Sequence, residues 1–131
     1  MARFFTPEEA NELLPQVRPL VEAMVRARAK LATAEEAHDY LNRSVAGNGG
    51  HLDPEQIRDT RDAVEQLSEQ LGRAVAALGE LGVLVKDAGS GLVDFPAERN
   101  GEVILLCWQL GEDHVAFWHG TDDGFAGRRP I

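Results

Sequence analysis

The chain has 131 residues, one cysteine and a net charge of -9. That length fits one domain with a core of its own, and the negative field disfavours a polyanion such as DNA as partner. Cys107 alone excludes an internal disulfide and the cysteine-rich zinc patterns. There is no apolar run long enough for a membrane span and no signal-peptide pattern, so a cytoplasmic location is the default expectation.

The first helix is expected to begin at Thr6-Pro7-Glu8-Glu9, where Thr6 can accept from the Glu9 amide and Pro7 suits the first position. Leu13, Val17, Leu20, Met24, Ala27, Leu31, Ala34 and Leu41, with His38 in register, then recur every three or four residues as one stripe. Pro15 and Pro19 each remove an amide donor and should kink or restart the helix. Arg43 to Gly50 reads as a loop because of Asn48-Gly49-Gly50.

A second start follows at Asp53-Pro54-Glu55-Gln56. Asp53 is the cap, Gln56 reaches back, and Leu52 staples onto Ile57. The stripe Ile57, Thr60, Val64, Leu67, Leu71, Ala74, Leu78 and Leu81 ends at Gly82, a candidate left-handed stop. Two such stripes joined by a short loop predict an antiparallel helical hairpin. Gly72 and Gly79 either permit close backbone approach or weaken the helix.

From Val83 the hydrophobic period becomes two. Strands are predicted at Val83–Lys86, Leu92–Glu98, Glu102–Leu110 and Val115–His119, with Asn100-Gly101 as a two-residue hairpin turn. Pro96 belongs at an edge or bulge. The tail after Gly120 reads as irregular. The chain is therefore an α+β domain over residues 1–131, a long helical hairpin (about 7–82) with a small antiparallel sheet of three or four strands and its tail (about 83–131).

The Asn100-Gly101 turn sets Phe95 opposite Leu106, Asp94 opposite Cys107 and Val93 opposite Trp108. A type II′ turn at Gly111-Glu112 would set Leu106 opposite Phe117 and Cys107 opposite Ala116. One face then carries Val93, Phe95, Ile104, Leu106, Trp108, Val115, Phe117 and His119 and should meet the helices. The other carries Asp94, Pro96, Val103, Leu105, Cys107, Gln109, Ala116 and Trp118. It mixes apolar and polar groups, as an oligomer interface or ligand wall would. A slip of the second turn would instead set Cys107 opposite His119.

Reactive side chains concentrate near the C-terminus. His119 and Asp122 are close enough in sequence to share a metal ion, although no cofactor is expected and acidic and histidine residues at turns are commonly just solvated. Cys107 lacks a basic neighbour to form a thiolate and reads as a small buried hydrophobe. Trp108 and Trp118 fit core or interface anchors better than a stacking platform. Arg128 and Arg129 could clamp an anion, or pair with Asp122 or Asp123.

Several segments together carry a resemblance: Phe5-Thr6-Pro7-Glu8-Glu9-Ala10-Asn11, Leu13-Leu14-Pro15, Gly82-Val83 with Lys86-Asp87, and Gly91-Leu92-Val93-Asp94-Phe95-Pro96. Further on come Cys107-Trp108, Leu110-Gly111-Glu112, and Phe117-Trp118-His119 with Gly124-Phe125-Ala126-Gly127-Arg128. They resemble the bacterial domain of unknown function 2203 family. The resemblance spans nearly the whole chain and implies one self-contained cytoplasmic-type domain; it supplies no mechanism.

The leading expectation is a non-enzymatic binding or interaction module that self-associates. Asp94, Trp108, Glu112, Trp118, His119, Asp123 and Arg128 are its candidate ligand residues. The alternative is a small-ligand or metal site, enzymatic or not, built from His119, Glu112, Asp123 and Arg128. A third reading uses the hairpin as a coiled-coil adaptor and requires apolar residues exposed beyond the two stripes.

Overall fold

The computed structural model describes residues 3–48 and 53–131, of which 45–48 by backbone alone. Helix α1 spans Pro7–Asn48 and helix α2 spans Pro54–Glu80. Strands β1 (Leu84–Asp87), β2 (Leu92–Arg99), β3 (Glu102–Gln109), β4 (Phe117–Gly120) and β5 (Arg129–Pro130) form one antiparallel sheet in chain order. A single 3₁₀ turn, Phe125–Gly127, lies between the last two strands. The architecture is α+β as the periodicity predicts, with five strands rather than three or four.

Helix α1 opens with a complete capping box. Glu9 N donates to Thr6 Oγ1 (3.1 Å) and Thr6 N donates to Glu9 Oε1 (2.9 Å). Pro15 and Pro19 do not restart the helix. Both lie on its exposed side, while Leu13, Leu14, Val17 and Val21 hold the opposite side in the core. The expected loop from Arg43 is also overturned, since α1 continues through Gly47 and Asn48. Pairing of its stripe with α2 outweighs the weak helix propensity of that segment. Gly49, Gly50 and the Leu52 staple lie outside the described residues.

Helix α2 is capped by Asp53, whose carboxylate accepts from Glu55 N (2.9 Å). It ends in a Schellman motif: Gly82 has φ +87°, Val83 N donates to Leu78 O and Gly82 N to Gly79 O, both at 3.0 Å. All the stripe residues are buried or half-buried, and Gly72 and Gly79 have open space where a Cβ would be. Those glycines therefore serve no close approach.

The inner sheet face packs on the first half of α1. Val93, Phe95, Ala97, Ile104, Leu106 and Trp108 form one core with Leu13, Leu14, Val17, Val21 and Met24. Phe5 adds an edge-to-face contact with Phe95 at 5.3 Å. Pro96 lies where β1 no longer flanks β2. Its carbonyl accepts from Phe5 N (2.7 Å), so its missing N–H faces this outer side and not the ladder to β3.

The first hairpin has the predicted register, with Asn100 at φ 53° and Gly101 at φ 81°. The second does not. Cys107 pairs with Phe117, Leu106 with Trp118 and Leu105 with His119, one residue from the expected register. A two-residue type II′ turn is absent. Glu112 N instead closes on Gln109 O across Leu110-Gly111, and the chain runs on to Phe117. Helix α1 holds this connection: Asn11 Oδ1 accepts from Val115 N (2.7 Å), Asn11 Nδ2 donates to Val115 O (3.2 Å), and Arg18 reaches the carbonyls of Glu112 and Asp113.

Because side chains alternate along a strand, this shift exchanges the faces of β4. Phe117 and His119 lie on the outer face with Asp94 and Cys107, and Trp118 lies on the inner face with Leu106. This reverses the expected placement of all three.

Candidate functional site

The outer face gathers three reactive groups from three adjacent strands. Asp94 on β2, Cys107 on β3 and His119 on β4 each bring one ligand atom within 4.8 Å of the others. All are buried, with side-chain exposures of 0% for Asp94 and 3% for His119. His119 Nδ1 stands 2.8 Å from Gly120 O. A carbonyl only accepts, so Nδ1 carries a proton. Nε2 stands 3.1 Å from Asp94 Oδ1.

Asp94 Oδ2 is buried and has no hydrogen-bond partner. Lys86 Nζ, of a half-exposed side chain, stands 3.9 Å away, which is an ion-pair distance rather than a hydrogen bond. Burial, and then the charge of Asp94, push the Cys107 thiol up to about 12. Cys107 is thus a protonated thiol at neutral pH, as its predicted surroundings imply.

A second arrangement lies at the end of the sheet. Arg128 Nη2 contacts both Glu112 oxygens (2.9 and 2.7 Å), and its guanidinium lies over the rings of Phe117 (4.1 Å) and Phe125 (4.5 Å). Glu112 Oε1 also accepts from Gln109 N (2.7 Å). Arg128 therefore pairs with Glu112, not with Asp122 or Asp123. Asp123 is exposed and accepts from Gly120 N (3.2 Å), closing the turn after β4. Asp122 is exposed and does not join the donors around His119. Trp108 is fully buried and donates to Glu112 O (3.1 Å).

The third feature is an open cleft of about 500 Å³ on the inner side. Phe4, Phe5, Ala97, Ile104, Leu106 and Trp118 supply its apolar walls, with Glu9, Glu98 and Arg99 at its rim. Arg99 lies 4.3 Å and Arg129 5.2 Å from the Trp118 ring. Among the described residues neither arginine has a carboxylate within 4.0 Å.

Of the candidates read from the sequence, the structure unites Asp94 with His119, and Glu112 with Arg128. Trp118 stands apart in the cleft. The leading register kept His119 away from Asp94 and Cys107 because it placed His119 on the opposite face; the alternative slip would have set Cys107 opposite His119, whereas the structure sets Leu105 there. The leading register missed Arg99 as a neighbour of Trp118 for the same reason. Arg129 beside Trp118 needed the β4–β5 pairing, which no pattern in the tail announces.

Among the described residues no helix is long and apolar enough to cross a membrane. The family model described as "Uncharacterized conserved protein (DUF2203)" matches residues 3–131. No curated relative and no solved structure matches the chain.

Proposed function

Starting from a chain that belongs to the DUF2203 family, we propose a non-enzymatic binding module whose ligand is a small organic acid with an apolar or aromatic body. The observation that carries this reading is the Trp118 ring in the wall of the apolar cleft, with the Arg99 guanidinium of that cleft 4.3 Å from it and the Arg129 guanidinium, from the neighbouring depression, 5.2 Å from it. A volume near 500 Å³ is of the size that takes a drug-sized molecule. The two guanidinium groups, which among the described residues have no carboxylate within 4.0 Å, complement a carboxylate or sulfonate in a protein of net charge -9.

Glu9 and Glu98 line the same cleft; the Oε1 of Glu9 is turned to the Thr6 amide, and Glu98 lies on the strand position next to Arg99. Binding rather than catalysis in this cleft is also supported by the place of the acid and base candidates His119, Glu112 and Asp123, none of which lines it. His119 is tied to Asp94, Glu112 to Arg128 and Asp123 to a turn amide.

The test is a titration with the anionic aromatic fluorophore anilinonaphthalene sulfonate, on protein whose fold is verified by near-UV circular dichroism. Saturable one-to-one binding that Trp118→Ala and Arg99→Ala each weaken at least tenfold supports the reading. Binding that ignores both substitutions, or none at all, overturns it.

The same reading includes self-association through the part of the outer sheet face left open. Leu84 and Val103 there are each 47% exposed. A chain that sediments as a monomer at every concentration removes this part.

A further inference from the structure

We infer that Asp94, Cys107 and His119 form a binding site for one divalent transition-metal ion of zinc type. The site is separate from the Trp118 cleft, since the two lie on opposite faces of the sheet.

Four observations carry this. The three donors are the nitrogen, sulfur and oxygen ligands that such an ion takes, and their ligand atoms converge within 4.8 Å. They come from neighbouring strands of one sheet, with Asp94 and Cys107 directly opposite each other. Rigid strands fix the spacing of the donors better than loops would. The bond from His119 Nδ1 to Gly120 O is the outer hydrogen bond that orients a metal-binding imidazole, and it leaves Nε2 facing the other two ligands.

The fourth observation is the buried Asp94 Oδ2, which lacks a hydrogen-bond partner. A carboxylate oxygen left so is costly unless a cation meets it. Lys86 Nζ at 3.9 Å is close enough to soften that cost and too far to remove it. A divalent ion would meet Oδ2 directly and repel the ammonium along a side chain that is already half exposed. Lys86 thus acts as the competing cation on the solvent side of the site.

The proton balance is simple. The ion enters as M²⁺. The Cys107 thiol gives up its proton to solvent, as does His119 Nε2 where it carries one, since each donor binds through a free lone pair. The site with thiolate, carboxylate, imidazole and M²⁺ is then neutral apart from Lys86. A water molecule would complete four-fold coordination.

The test uses the full chain without an affinity tag, stripped of metal and titrated with Co²⁺ alone and then with Zn²⁺. The expected result is one equivalent of Co²⁺, with a thiolate-to-cobalt charge-transfer band and the intense visible bands of tetrahedral cobalt, both removed by Zn²⁺. Cys107→Ser should abolish the charge-transfer band, and His119→Gln should weaken binding at least a hundredfold. His114→Gln and Asp122→Asn should change neither.

Should the first two variants fail to fold, Lys86→Met keeps all three donors and is expected to bind several-fold more tightly. The inference is overturned if the native chain shows no charge-transfer band, if the band survives in Cys107→Ser, or if His114→Gln or Asp122→Asn abolishes binding. Because the cleft and this site are read with different probes, failure of one leaves the other standing.

Discussion

His119 Nε2 reaches Asp94 Oδ1 at 3.1 Å across the intervening strand β3, and both side chains are buried. Neither group could be accommodated there alone, because a polar group without a partner in the core forfeits its solvation. Asp94→Ala would leave His119 Nε2 without its partner. In the metal-free protein this substitution should cost about 3 kcal/mol, the order found on breaking a buried pair. Urea unfolding of the two proteins measures it, and a loss below about 1 kcal/mol would show that the pair does not stabilise the fold.

The Arg128 guanidinium holds Glu112 while lying over Phe117 and Phe125. A lysine could keep the charge but not the planar stacking over the two rings. Arg128→Lys should therefore lose about 1–2 kcal/mol, chiefly by loosening the C-terminal segment. Amide hydrogen exchange should quicken at Phe125–Arg128 and remain unchanged in α2. Unchanged exchange throughout would refute the role given to Arg128.

Two glycines should respond in opposite directions. A Cβ on Gly91 (φ +74°) would meet Leu110 Cβ at 2.9 Å and Val21 Cγ1 at 3.0 Å, whereas one on Gly72 meets nothing within 4 Å. Gly72→Ala in mid-helix should stabilise by about 0.5–1 kcal/mol. Gly91→Ala combines backbone strain with overpacking and should destabilise by about 2 kcal/mol or more. Thermal melts of the two variants provide the comparison.

Cys107 should resist alkylation at neutral pH in the native state and react at once in urea. It is buried, and its thiol is pushed up to about 12 from 9.0. A pKa raised by folding favours the native state below the unfolded value. The contribution is full below pH 9.0 and is lost as pH rises toward about 12. Denaturation curves across that window should show stability falling faster in the native chain than in Cys107→Ala.

The capping box offers a site-specific titration. Hydrogen bonds from Thr6, backbone first and side chain second, hold the Glu9 carboxyl below its usual 4.5. A lowered pKa means stability that is present above 4.5 and lost as pH falls through the folded value. Thr6→Ala should move the Glu9 titration upward, as followed by NMR. An unmoved Glu9 would show that the hydroxyl contributes nothing.

The elements of this protein were set largely by local rules. Stripes at three-four spacing, the caps at Thr6 and Asp53, the stop at Gly82 and the Asn100-Gly101 turn act within a few residues, so they are legible without a partner. Even the opposition of Asp94 and Cys107 follows from counting back from a two-residue turn. The extension of α1 to Asn48 is different, because it depends on what α2 offers across the hairpin.

The site was decided by tertiary structure for the same reason. Asn11 and Arg18, about a hundred residues away in sequence, hold the chain between Leu110 and Phe117 against α1. That contact sets where β4 begins, and with it the pairing of Cys107 with Phe117. A shift of one residue reverses every side chain of a strand. It is this shift that puts His119 beside Asp94 and Cys107, and Trp118 in the cleft beside Arg99.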